Sequence, residues 1–168
     1  MMITSTFNQI ITMLNDSDLG VLIRESDSLF PFIESLHVLA ITCFFGSIAM
    51  VDLRLIGVSF LEKPILSFSR VVLPYTWKAF AVAFVTGLLL FVSKADTYSH
   101  NQFFLMKMSL LMCAGINMLF FQFATGKNMD KWPTSEALPA AARLAGFTSL
   151  VLWVSIIICG RWIGFTLI

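Results

Sequence analysis

Four side chains in this sequence could do chemistry together: His37, Lys94, Lys107 and Arg161. Each lies in, or at the edge of, a long apolar run. An ionisable group there is costly, about 2.5–3.5 kcal/mol at the centre of a membrane span, and so marks a candidate site. An imidazole offers a metal ligand or a proton carrier. Lysine and arginine offer charge-assisted binding to carboxylates or phosphates. The question is whether the chain brings the four together.

The elements that would have to position them are transmembrane helices. Of the 168 residues, 58% are hydrophobic and 12% charged, against about 25% charged in an ordinary soluble domain. Mean hydropathy is +0.86. The long runs have no polar face, so lipid must be their solvent. A net charge of +1 excludes a nucleic-acid partner. The pattern predicts an all-α protein: an integral membrane four-helix bundle over residues 31–168, preceded by an amphipathic interfacial segment over 1–30. Phe7, Ile10, Ile11 and Leu14 set the apolar stripe of that segment, and Asn15, Asp16 and Ser17 interrupt it. It is expected to lie on the membrane surface or over the mouth of the bundle. It does not read as a signal peptide, having no early basic residue and no compact apolar core. The spans are expected at about 33–60, 74–95, 103–125 and 143–166. Pro31 and Pro74 are expected to open the first two, with no proline in mid-span.

Orientation follows from the basic residues. The loop after the first span carries Arg54, Lys63 and Arg70, with Lys78 just inside the second span. The loop after the third carries Lys127, Lys131 and Arg143. Positive loops stay in the cytoplasm. The expectation is a bacterial inner-membrane protein with both termini periplasmic. His37, Lys94, Lys107 and Arg161 then fall in one outer layer, one from each span. Lys94 shares a helix face with Gly87, Lys107 with Ala114 and Arg161 with Gly164, so these faces are expected to line the interior. Glu34 and Asp96 can neutralise part of the positive charge, and the remainder invites an anion. Haem b meets the whole layer: iron for His37, propionates for Lys94, Lys107 and Arg161. Each residue taken alone has a plainer explanation. The cations can snorkel to headgroups, and His37 can be a hydrogen-bonded core histidine.

His100, the only other histidine, lies in the outer loop, so a bis-histidine haem within the spans is excluded. The sixth position would be open or taken by Met106, Met108, Lys107 or His100, and an open position favours reactivity over simple electron transfer. The expected class is a haem-binding membrane protein with a redox or porphyrin-related role and an unspecified electron partner. The rivals are a metal or ion transport bundle, with His37, Met50, Met106 and Met108 as soft ligands, and a non-catalytic oligomeric subunit. Gly160 and Gly164 form a GxxxG step that suits homo-oligomerisation. Asp52, Arg54, Lys78 and Arg143, at the inner ends, read as local ion pairs and orientation signals. Cys43, Cys113 and Cys159 read as small buried hydrophobes. Trp77, Trp132, Trp162, Tyr75 and Tyr98 lie near span ends, as an aromatic belt requires.

The segments SLHVLAITCFFGSIAMVDLRLIG and LPYTWKAFAVAFVTGLLLFVSKADTY, the lysine in FFLMKMSLL and the closing GRWIGF together resemble an uncharacterised bacterial membrane family, from about residue 31 onward. His37 in a first span and Lys107 at the start of a later one are also distantly similar to the membrane protoporphyrinogen oxidases and the CopD-like copper-resistance proteins. That second resemblance implies a haem or porphyrin site at His37 and Lys107.

Overall fold

The computed structural model describes residues 2–60, 65–125 and 138–166. Lys63, Lys127, Lys131 and Trp132, on which the orientation and the aromatic belt partly rest, lie outside them. The described residues are helical, without strand. The helices are α1 (Met2–Asn15), α2 (Asp18–Glu25), α3 (Leu29–Ile56), α4 (Ile65–Ser93), α5 (Ala95–Ser99), α6 (Gln102–Phe120) and α7 (Ala140–Thr166), with a π-helical turn, Phe121–Thr125, continuing α6. Four stretches are long and apolar enough to cross a membrane: Leu29–Ile56, Ile65–Ser93, Gln102–Phe123 and Ala140–Thr166.

The helix ends follow local chemistry. Ser17 accepts from the Gly20 amide at 3.2 Å and starts α2, and Asn101 accepts from the Phe104 amide at 3.1 Å and starts α6. Helix α3 stops at Gly57, whose φ of 89° is left-handed. The Gly57 and Val58 amides both return to the Leu53 carbonyl, at 3.2 and 3.0 Å, the 5→1 bond of an αL cap and the 6→1 bond of a Schellman motif. The first span therefore ends before residue 60. Helix α4 differs more from expectation. It begins at Ile65, with Pro74 inside it. A proline forfeits one backbone bond, but the apolar residues on both sides pack against α3 and carry the helix through. Ile65 joins Val51, Leu55, Leu138 and Ala142 in one buried cluster, with Phe68 and Val72 against it.

Helices α3 and α4 pack as one antiparallel pair and α6 and α7 as another, joined by α3 against α7. Two polar rungs hold the first pair. Thr76 donates to the Ser47 hydroxyl at 2.9 Å, and His37 Nδ1 meets Thr86 Oγ1 at 2.9 Å. The rungs are ten residues apart on both helices, about 15 Å along each axis, which is the register of an unslipped antiparallel pair. Between them Phe44 packs on Phe80 at 5.5 Å and edge-on to Trp153 of α7 at 4.6 Å. In the second pair, Asn117 donates to the Ala145 carbonyl at 3.1 Å and Asn101 to Thr166 Oγ1 at 2.8 Å. Phe91 of α4 stacks on Phe104 of α6 at 5.3 Å, with the Tyr98 ring of α5 against both.

The N-terminal helices lie against the end of the bundle where α4 stops. Gly20 allows the contact, since a Cβ there would stand 2.9 Å from the Val92 carbonyl oxygen and 3.0 Å from that of Leu14. Arg24 Nη1 donates to the Ser93 carbonyl at 2.8 Å and the Asn15 carbonyl at 3.1 Å. One cation thus satisfies the open C-terminal carbonyls of both α4 and α1. Arg24→Ala removes hydrogen bonds from a charged donor, worth about 1.5–3 kcal/mol each. Amide exchange across Met2–Glu25 is expected to rise roughly tenfold or more while α3 stays protected. Equal protection in the two chains would refute this clasp.

Candidate functional site

His37 sits two turns into α3, half-buried, with its ring against α4. Thr86 donates its own proton to the Val82 carbonyl at 2.7 Å, with the Ala83 carbonyl at 3.2 Å. Its oxygen is then left to accept from His37 Nδ1–H at 2.9 Å. This network assigns the proton to Nδ1 and leaves the lone pair on Nε2. A metal-ligating histidine is prepared in this way, its second nitrogen tied to an oxygen acceptor.

Gly87 makes the fit possible. A Cβ on Gly87 would lie 3.0 Å from His37 Cε1 and 3.6 Å from Nδ1, so the imidazole fills the space that any side chain would take. Gly87→Ala is expected to push the ring off Thr86. The nitrogen chemical shifts of 15N-labelled His37 report this, and unchanged tautomer shifts would show that the ring has room to spare.

Lys107 faces the same region from α6. It is the charged group that acts most on the His37 ring. Its amine lies over α7, 3.7 Å from where a Gly160 Cβ would stand, and Cys159 acts on it from the same helix. Gly160 is not required in the way Gly87 is: a Cβ there would make only an ordinary contact with the Lys107 amine.

Lys94 and Arg161 are placed elsewhere. Helix α4 ends at Ser93, so Lys94 leaves its face and opens α5 instead. Its amine lies 4.6 Å over the ring of Phe30, a cation–π contact two turns nearer the end of α3 than His37. Arg161 is exposed, 4.8 Å from the ring of Phe165 on its own helix. The inward face of α7 runs through Ile156, Cys159 and Ile163. Arg161, two positions from Cys159, falls about 200° round the helix from it. Gly164, expected to pack on the same face, meets nothing within 4 Å. Of the four expected residues, His37 and Lys107 therefore share one region, with Thr86 and Gly87 holding the His37 ring.

Of the expected sixth ligands, His100 is exposed and held to the Asp96 carbonyl at 2.9 Å. Met106 and Met108 are exposed. Lys107 alone of the four faces the site. Tyr98 stands between Phe91 and Phe104 at the same end. Burial, and then the negative charge of Glu34, push its phenol pKa upward, so it stays a neutral donor. Among the described residues no three His, Cys, Asp or Glu side chains gather as a metal would require. Cys43 and Cys113 are exposed and Cys159 is buried.

The inner ends differ from expectation too. Asp52 and Arg54 are 3% and 2% exposed, whereas orientation signals stay in water. Lys78 lies 5.7 Å over the Tyr75 ring, and Arg143 Nε donates to the Ile56 carbonyl at 3.2 Å. Between exposed side chains, His100 Nδ1 lies 3.8 Å from Asp96 Oδ1. Sequence reasoning passed over Thr86 and Arg24. The signal for Thr86 was its place beside Gly87; for Arg24 it was a cation in the last turn of a short helix.

No curated protein and no solved structure matches the chain, and nothing links it to the protoporphyrinogen oxidases or the CopD-like proteins. A family model does match, over residues 12–166, from the last turn of α1 to the end of α7. The chain belongs to that family, a family of unknown function (DUF6644).

Proposed function

We propose that this chain is a multi-pass protein of the bacterial inner membrane, both termini periplasmic, that binds haem b in the outer half of its helix bundle. His37 would ligate the iron through Nε2, and Lys107 would face a propionate. The observation that carries the reading is the hydrogen bond between His37 Nδ1 and Thr86 Oγ1 at 2.9 Å, because it leaves Nε2 as the ligating nitrogen. The donor set favours haem over a bare metal ion. A lone copper or zinc ion needs several protein ligands, whereas a porphyrin brings four nitrogens and asks for one or two more. The site chemistry fits the cofactor in two places: an imidazole whose Nδ1 is already engaged, and an ammonium facing the same region.

Lys94 and Arg161 are not needed in this reading. Over Phe30 and Phe165 they sit as boundary cations with rings beneath them, a snorkelling geometry. When bound, the haem would supply redox or gas-ligand chemistry. The protein would supply a nitrogen ligand from His37 and a cation from Lys107, with the Phe44–Phe80–Trp153 cluster about two turns further along the bundle. The test is the absorption spectrum of the full chain purified from haem-supplied cells. A Soret band at about one haem per chain is expected. Its absence, with the protein folded by circular dichroism, would remove the proposal. Copper uptake without haem would favour a transport role instead.

A further inference from the structure

At the inner end of the bundle, opposite the His37 site, Asp52 is 3% exposed, and its Oδ2 is buried without a hydrogen-bond partner. The backbone that carries this carboxyl makes a close contact with α7 at Gly146. A Cβ on Gly146 would stand 2.9 Å from Leu55 Cβ and 3.1 Å from the Asp52 carbonyl oxygen. From α7, the Ser149 hydroxyl lies near the carboxyl. The other charged group nearby on that helix, Arg143, is spent on the Ile56 carbonyl. On α3 itself, Arg54 lies two positions on, about 200° round the helix. Ile65, Phe68 and Val72 of α4 join the cluster that Val51 and Leu55 form beside Asp52, and they are apolar. Among the described residues no cation pairs with Asp52.

We propose that Asp52 is a proton-binding site. An ionised carboxylate in this position would leave a lone-pair oxygen and a full charge buried without compensation. A proton bound to Oδ2 removes the charge and lets α3 and α7 close on each other at Gly146. The site is reversible in chemical terms: the carboxyl takes up one proton or releases one, with no other bond made. Release leaves a charge beside the close contact of α3 and α7 at Gly146, so proton loss favours separation of the two helices there. An ionisable residue inside a span, with one buried carboxyl oxygen unpartnered and no cation against it among the described residues, is a candidate for this use. The inference stands whether or not haem binds at His37.

Infrared spectroscopy of the full chain in lipid nanodiscs tests it, with aspartate labelled at the side-chain carboxyl carbon by 13C. At neutral pH the labelled wild type is expected to show the carbonyl stretch of a protonated aspartic acid, shifted by the label. Ser149→Ala is expected to shift its frequency by removing the neighbouring hydroxyl, and Asp52→Asn to lose it entirely. Exposed Asp96, changed to asparagine, is expected to leave it untouched. A labelled wild type with carboxylate bands alone would overturn the proposal, as would a protonated band that survives in Asp52→Asn. The label and Ser149→Ala keep the test decisive even if Asp52→Asn does not fold.

Discussion

His37→Ala is expected to abolish the Soret band of the haem-supplied protein while the helical circular dichroism stays unchanged. The argument is one of ligand count. Among the described residues His37 is the one histidine inside the bundle, because His100 sits exposed at the end of α5. No second imidazole can take over. Its neighbours should follow a graded order. Thr86→Val keeps the shape but removes the oxygen that orients Nδ1, and loss of such a partner typically weakens metal binding about 10–100-fold. Lys107→Met removes the cation while keeping the length of the chain, and should weaken retention of haem with less effect on the iron spectrum. Lys94→Gln and Arg161→Gln should leave occupancy within about twofold, since both cations sit over rings away from His37. Haem titration of the five variants in detergent would check the order. Equal losses for Arg161→Gln and Lys107→Met would contradict the placement of Arg161 on the outer face of α7.

Gly146→Val is expected to be the most destabilising single change in the helix bundle. Its Cβ would meet Leu55 Cβ at 2.9 Å and the Asp52 carbonyl oxygen at 3.1 Å. Neither can yield easily. One is the root of a side chain that is 3% exposed, and the other belongs to the α3 backbone. Overpacking of this kind costs about 1–3 kcal/mol. Here the helices must also part, which would admit lipid or water beside Asp52. The control is built into the chain. At Gly46 and Gly115 an added Cβ would meet nothing within 4 Å. Gly46→Ala and Gly115→Ala should therefore be neutral, or stabilising by about 0.5–1 kcal/mol from helix propensity alone. Unfolding midpoints in mixed micelles would separate the two classes. Similar midpoints for Gly146→Val and Gly115→Ala would show that α3 and α7 do not meet at Gly146.

Much of the architecture was legible in the order of residues. Charge-free runs mark the four long helices because hydropathy is a property of each residue, summed along the chain, and needs no partner. The break at Asp16 and Ser17 was legible because capping chemistry is local. So was the unusual setting of His37 and Lys107, polar groups placed at a cost among apolar neighbours. What the sequence left open was azimuth and company. Counting in turns put His37, Lys94, Lys107 and Arg161 at one depth, but depth is not direction. Arg161 turns outward because Cys159 and Ile163 turn inward, a choice made by the contact of α7 with α3 and α6. Lys94 leaves its expected face because α4 stops one residue before it. Pro74 stays inside a helix because tertiary contacts outweigh one lost backbone bond. Asp52, which reads as a charge at a water boundary, is enclosed because a glycine on another helix lets two backbones close over it. Length and polarity are inherited from the residues themselves, whereas the partners of a polar side chain exist only once separate helices have docked.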